Sequence, residues 1–250
     1  MKILFTICGR AGSKGIKNKN IRTFIDKPLP LYTLSAIDLF LKDNPDVGAD
    51  IAVNTDSREL AEILTGNPSR EVVFVPRKEE LAGDRVSKLD VIRDTLIEME
   101  NRGGVYDMII DMDITSPLRQ PEDLKHVYEE HVSGNWDAVF TVTDCRRNPY
   151  FNMVKSEGEG GYKKVINSNF TARQQAPEIF DMNASIYSYT PDFLRTAERI
   201  FDGRCGIVKM YDTGILDLDH ENDFELMEII ADYLYRNKPS FKAVYTNIEA

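Results

Sequence analysis

The sequence predicts an α/β domain in which helices cover both faces of a parallel sheet. Three observations predict it. Short apolar runs of strand length alternate with stretches of helical period along most of the chain. Strands joined in this rhythm by crossover helices give three layers. The 250 residues are 42% hydrophobic, enough for the core of one such domain spanning 1–250.

Taken in order, Ile3 to Cys8 is a buried strand, and Gly9 to Asn20 is the loop that follows it. The loop, GRAGSKGIKNKN, holds Gly9, Gly12 and Gly15 together with Arg10, Lys14, Lys17 and Lys19, and no acid occurs before Asp26. Against a formal charge of -10 for the whole chain, this local excess of cations suggests an anion site. Glycines let backbone N–H groups close on an anion, and cations neutralise it. A polyphosphate suits the loop; a flexible surface turn is the other reading. The G-x-x-G-x-x-G spacing is neither a Walker loop nor the dinucleotide fingerprint.

Pro28 to Leu41 is then helical. Asp50 to Thr55 is a strand, and Asp56-Ser57 caps the helix Arg58 to Leu64. Glu71 to Val75 is the third strand and Pro76 to Arg85 a loop. Ser87 opens a helix to Glu100 with Ile92, Leu96 and Met99 on one face. Tyr106 to Met112 is the fourth strand, Asp113 to Gln120 a loop, and Pro121 starts the next helix. Trp136 to Thr143 is the fifth strand. The rhythm breaks at 146–177, which has turns, short β-like runs and no clear helix. An irregular excursion of this length is usually a lid or an oligomer contact. The pattern resumes with Ala184 to Tyr189, a helix at Pro191 to Ile200, a strand at Ile207 to Tyr211 and a helix from Glu221 to Tyr235.

Ligands of open α/β sheets sit at the carboxyl ends of the strands. That rule gathers the 9–20 loop, Asn54 to Ser57, the 76–87 loop and Asp113 to Arg119 around one cleft, with cations on one side and carboxylates on the other. Asp217 and Asp219 share one face if their segment is extended, ~7 Å apart. They either hold a cation such as magnesium or merely cap the last helix. The acidic balance, with pI near 4.9, argues against nucleic-acid and membrane-surface binding. Cys8, Cys145 and Cys205 lie far apart without metal spacing, which reads as reduced and cytoplasmic. His126, His131 and His220 form no zinc pattern. The amino-terminal apolar run is too short for a signal peptide, and no stretch is long enough to span a bilayer.

In order along the chain, R-x-G-S-K-G-x-x-x-K-N (Arg10 to Asn20), NTDS (Asn54 to Ser57), ELAGD (Glu80 to Asp84), TSPLR (Thr115 to Arg119), Ala172 to Tyr187 and D-L-D (Asp217 to Asp219) resemble the acylneuraminate cytidylyltransferase family. The resemblance covers nearly the whole chain. It implies a Rossmann-like three-layer nucleotidyltransferase domain, a homodimer with 146–177 as the dimerisation and sugar-lid excursion, and a reaction that joins CTP to a nine-carbon sugar acid. By resemblance, Arg10, Ser13, Lys14 and Lys19 hold the triphosphate and Asn20 lies near the ribose. Arg77 and Ser87 contact the nucleoside, Arg173, Asn183 and Tyr187 face the sugar acid, and Asp217 and Asp219 hold magnesium. Thr115 and Ser116 belong to the same substrate loop. Arg10, Lys19, Asp217 and Asp219 are the expected catalytic groups.

One position departs from the pattern. Sialic acid enzymes usually read Q-P-T-S-P-L-R, whereas Asp113 here replaces the amide. A carboxylate near the sugar needs a substrate donor or a protein cation, with Arg119 or Arg173 the expected candidates. The departure, with the YFN and DMNASIY segments, points towards the legionaminate branch. The alternatives are N-acetylneuraminate, the eight-carbon acid Kdo (whose enzymes' Q-G-D-E-P pattern is missing here), and a non-catalytic binding protein.

Overall fold

The computed structural model describes residues 1–12, 15–83, 85–213, 218 and 220–248. Its elements are β1 (Lys2–Cys8), the short pair β2 (Thr23–Phe24) and β3 (Lys27–Pro28), α1 (Leu29–Asp43), β4 (Gly48–Thr55), α2 (Arg58–Thr65), β5 (Val73–Pro76), α3 (Lys88–Asn101) and β6 (Met108–Met112). There follow α4 (Pro121–Gly134), β7 (Ala138–Asp144), β8 (Val154–Ser156), β9 (Tyr162–Lys164), β10 (Phe180–Tyr189), α5 (Pro191–Thr196), β11 (Cys205–Lys209), α6 (Glu221–Asn237) and α7 (Pro239–Asn247). Seven strands form the central sheet, in the order β11-β7-β10-β6-β1-β4-β5.

The strands are buried on both faces, and their alternation sorts side chains between two cores. In β1, Ile3, Phe5 and Ile7 join the core formed with α1, α2, α4, α6 and α7. Leu4 points the other way, into the core formed with α3 and α5. Each such fully buried side chain is worth about 1.5–3 kcal/mol relative to exposure. In β6, Met108, Ile110 and Met112 take the first face and Ile109 the second. Asp111 shares the second face with Ile109, which places a carboxylate inside a layer of aliphatic side chains.

The all-parallel expectation fails at one strand. β10 runs antiparallel to both of its neighbours, β6 and β7, while the remaining pairings in the sheet are parallel. The cause lies in 146–177. A parallel return needs a crossover across the sheet face, usually a helix. This excursion instead leaves from the carboxyl end of β7 and comes back there, with Phe180 paired opposite Asp144. The chain can then re-enter only by running back. β10 is also longer than the predicted strand, and its register against β7 shifts between Met182 and Tyr187. Ala184, inside that irregularity, sits in the left-handed region at φ 50.

Within the excursion, β8 and β9 form a hairpin with Val154 paired to Lys164. The helix predicted to Ile200 stops at Thr196, and α7 is an element the sequence reading missed. Pro239 ends α6 and serves as the first residue of α7, which buries Phe241 and Val244.

Candidate active site at the sheet switch point

From β1 the chain steps outward through β4 to β5, then returns to β6 on the other side of β1. The carboxyl ends of β1 and β6 are therefore a topological switch point, where an α/β sheet opens a crevice. A cleft of about 250 Å³ lies there, lined by Cys8 and Gly9 from the end of β1 and by Asp113 and Thr115 beyond β6.

The loop after β1 supplies one wall with Arg10, Lys19 and Asn20. Gly9 is required by close approach. A Cβ there would lie 2.6 Å from Leu60 Cδ2 and 2.8 Å from Ile114 Cδ1. The Gly9 N–H donates to the Asn54 carbonyl at 3.2 Å, and the Ala11 N–H to Asp56 Oδ1 at 2.7 Å. Asn20 Nδ2 donates to the Arg10 carbonyl at 3.0 Å and folds the loop back on itself. Lys19 Nζ donates to the Leu218 carbonyl at 2.7 Å, which ties this wall to the segment between Asp217 and Asp219. Ser13, Lys14, Asp217 and Asp219 lie outside the described residues.

Arg77 enters the same cleft from the β5 side. Asn54 at the end of β4 orients it: Arg77 Nε donates to Asn54 Oδ1 at 3.0 Å and Nη2 to the Asn54 carbonyl at 2.9 Å. Ser87 caps α3, its hydroxyl accepting from the Leu89 N–H at 3.2 Å.

The opposite wall holds a charge cluster that the sequence reading missed. Lys88 Nζ lies 2.7 Å from Asp111 Oδ2 and 2.8 Å from Asp113 Oδ2. Asp111 is fully buried, and its Oδ1 accepts from the Thr6 hydroxyl at 2.8 Å. Asp113 Oδ1 accepts from the Thr115 N–H at 2.9 Å and the Thr115 hydroxyl at 2.7 Å. Burial works against charge on Lys88, but Asp111 and Asp113 outweigh it and hold the ammonium well above its usual range. Burial likewise opposes ionisation of Asp113, and Lys88 with Thr115 outweighs it, so the carboxylate stays well below its usual range. Burial, and then the Asp111 carboxylate, push the Cys8 thiol up, which leaves it neutral and a poor nucleophile.

The cation paired with Asp113 is thus Lys88, and neither Arg119 nor Arg173 takes that place. Arg119 is a buried brace, 1% exposed. It donates to the Asp113 carbonyl, to Ser185 Oγ at 2.8 Å, to the Ser185 carbonyl at 2.9 Å and to Thr33 Oγ1 at 3.1 Å. Burial lowers its pKa to about 10, so it remains charged at neutral pH. Two local anomalies in the sequence signalled the cluster. Asp111 interrupts the apolar strand MIIDM, and Lys88 places a cation in the first turn of a helix, against the macrodipole.

The Asp113 N–H donates to the Ser185 carbonyl at 3.0 Å, which joins the cleft to β10. Tyr187 of that strand lies under Lys88, 5.5 Å from ring centre to Nζ. Ser116 Oγ donates to Ser185 Oγ at 2.9 Å. Asn183 is buried, its Oδ1 accepting from the Thr141 hydroxyl at 2.6 Å. Arg173 is not brought to the cleft. It lines a separate hollow of about 530 Å³ beside Asp144 and Gln174, and donates to the Cys145 carbonyl.

Comparison with known proteins agrees with this geometry. The cytidylyltransferase family matches residues 4–236. The chain is 38% identical over 233 residues to the CMP-N,N'-diacetyllegionaminic acid synthase of Campylobacter jejuni, covering 92% of this chain and 94% of that protein. It is 36% identical over 230 residues to post-translational flagellin modification protein B of Campylobacter coli, again covering 92% and 94%. In fold it is similar to a CMP:2-keto-3-deoxy-manno-octonic acid synthetase complexed with CTP, with a TM-score of 0.64 at 14% identity over 93% of this chain and 99% of that one. With a family match over nearly its whole length and a cleft at the switch point of the sheet, the chain belongs to the cytidylyltransferase family and is a nucleotidyltransferase.

Proposed function

We propose that this protein activates a legionaminate-type nonulosonic acid, converting CTP and the sugar acid to the CMP-sugar and pyrophosphate. The observation that carries the reading is the division of the cleft. Arg10, Lys19 and Arg77 suit a nucleoside triphosphate on one side, and the Lys88-held Asp113 offers an anionic acceptor on the other. The similarity to a diacetyllegionaminic acid synthase over 92% of the chain supports the choice of sugar.

The anomeric hydroxyl of the sugar acid attacks the α-phosphorus in line. A new P–O bond forms as the hydroxyl proton passes to solvent, the bond to the β-phosphate breaks, and pyrophosphate leaves with the electron pair. Positioning and charge neutralisation do most of the work in such transfers. Arg10 and Lys19 stabilise charge growing on the leaving group, and Ser13 and Lys14 extend the same loop. Arg77 and Ser87 meet the nucleoside and Asn20 the ribose. Asn183, Tyr187 and Arg173 serve the sugar acid, Arg173 by way of the excursion.

Magnesium is the metal that hard oxygen donors such as Asp217 and Asp219 suit. The Lys19 bond to the Leu218 carbonyl fits this, because it draws the stretch of chain between the two aspartates to the cationic loop. Bound there, magnesium would neutralise phosphate charge.

The test is pyrophosphate release from CTP with a panel of sugar acids. A diacetamido legionaminate should give a kcat/KM about tenfold or more above that for N-acetylneuraminate and Kdo, as expected where a site bonds a substrate polar group. Preference for either of those acids would reassign the substrate. No release with any acid would favour a binding protein.

The same reading makes the 146–177 hairpin a homodimer contact, since Val154 and Tyr162 are 65% and 76% exposed. Light scattering at micromolar concentration should give twice the 28.5 kDa chain mass. An active monomer would remove this role. The three free cysteines support a cytoplasmic setting. Among the described residues, no helix is long and apolar enough to cross a membrane.

A further inference from the structure

The Lys88 cluster holds two carboxylates and one ammonium, an arrangement too costly to bury without a use or a compensation. Its geometry separates the roles of the two acids. Asp111 is sealed: its side chain is 0% exposed, with Thr6 on one oxygen and Lys88 on the other. The Asp113 side chain is 23% exposed and lines the cleft. A carboxylate offers about four acceptor sites. The Thr115 N–H, the Thr115 hydroxyl and Lys88 take three of those on Asp113. One acceptor site, on Oδ2, is left for a ligand. Lys88 donates to Asp113 Oδ2 and pairs by charge with Asp111 Oδ2, while the ammonium sits over the Tyr187 ring. Its orientation suits holding Asp113 better than gripping a substrate anion.

We propose that Lys88, anchored by the buried Asp111, is a positioning residue that fixes Asp113 as the acceptor for an N–H or O–H donor on the sugar acid. This rests on the sugar-acid reading above. The ionisable groups around the Lys88–Asp111–Asp113 cluster are Arg119 of the loop beyond β6, Cys8 of β1, and Tyr187 and Tyr189 of β10, and the cationic Arg10, Lys19 and Arg77 line the same cleft. Cys8 and Tyr189 are pushed up by burial first, and Arg119 is lowered by burial only to about 10. None of these three changes charge near neutrality. Lys88 is the cation that holds the Asp113 carboxylate low against its own burial, so removing it moves that ionisation upwards.

The experiment compares wild type, Lys88→Met and Lys88→Arg between pH 5.5 and 8.5, varying sugar acid at saturating CTP and CTP at saturating sugar acid. In Lys88→Met the KM for the sugar acid should rise about tenfold or more, as for loss of a charge-assisted contact, with the KM for CTP nearly unchanged. The ratio of variant to wild-type kcat/KM for the sugar acid should fall as the pH drops, because Asp113 then takes up a proton in the variant alone. Lys88→Arg keeps the charge and should keep that ratio flat. If Lys88→Met fails to fold, the double variant Lys88→Met/Asp111→Asn removes the orphaned buried carboxylate and carries the same measurement. A pH-independent ratio, or a KM for CTP that rises as much as that for the sugar acid, would overturn the positioning role. A wild-type enzyme inactive with every sugar acid would instead overturn the substrate reading.

Discussion

Arg119→Ala is expected to lower the unfolding free energy by about 3–5 kcal/mol, through a cavity in the core and buried acceptors deprived of their donors. The guanidinium is 1% exposed and all its described donations go to neutral oxygens, on Thr33, Ser185 and the Asp113 main chain. Truncation leaves a cavity where the long side chain lay and removes one donor from each of the Asp113 and Ser185 carbonyls and from the buried Ser185 and Thr33 hydroxyls. At roughly 2–4 °C per kcal/mol for a chain of this size, the melting temperature should fall by about 6–20 °C. Arg119→Lys should recover only part of the loss, because an ammonium cannot reproduce the planar fork. Thermal and urea unfolding measure both. An alanine variant within about 1 kcal/mol of wild type would mean that the cost of burying the charge already balances these bonds.

Lys19→Ala should leave the fold nearly as stable and reduce kcat/KM for CTP by roughly ten- to a hundredfold, the loss of one charge-assisted contact of about 1.5–3 kcal/mol. Lys19 lines the cleft and also holds the Leu218 carbonyl, so it has two ways to matter. A cycle with Asp219→Asn separates them. Coupling above about 0.5 kcal/mol would show that the two positions act together, whereas additive losses would leave Lys19 as a phosphate contact alone. Arg10→Ala should give a loss of similar size. Wild-type kinetics in both Lys19→Ala and Arg10→Ala would remove the loop from the site.

The strands of the sheet were legible because each is an apolar run long enough to be buried on both faces. The Ser87 cap and the start of α4 at Pro121 were legible for the same local reason. Direction was not legible. Nothing in Phe180 to Tyr189 says which way the strand runs, since that is set by where the preceding excursion leaves the chain. The partner of Asp113 was also hidden. Lys88 lies 25 residues upstream on a different element, and only the packing of α3 against the sheet brings them together. Arg119 stood as a candidate partner for the Asp113 carboxylate because its actual partners are carbonyls and hydroxyls, which leave no charge pattern in a sequence. α7 was missed although Pro239, Phe241 and Val244 mark its start and buried face.

The position of β10 also dictates an order of assembly during synthesis. The first 112 residues contain β1, β4, β5 and β6, which are contiguous in the sheet and can pair as soon as they emerge. β7 is complete at Asp144, but its neighbours are β10 and β11, both still unmade. At roughly 5–20 residues per second, the 45 residues from 145 to 189 keep it waiting for several seconds with apolar edges open, an invitation to pair with another chain. When β10 arrives it slots between β6 and β7 and covers one edge of each, while the other edge of β7 waits for β11. The same strand carries Ser185, whose carbonyl accepts from the Asp113 N–H, and Tyr187 beneath Lys88, so one event joins the two halves of the sheet and braces that side of the cleft.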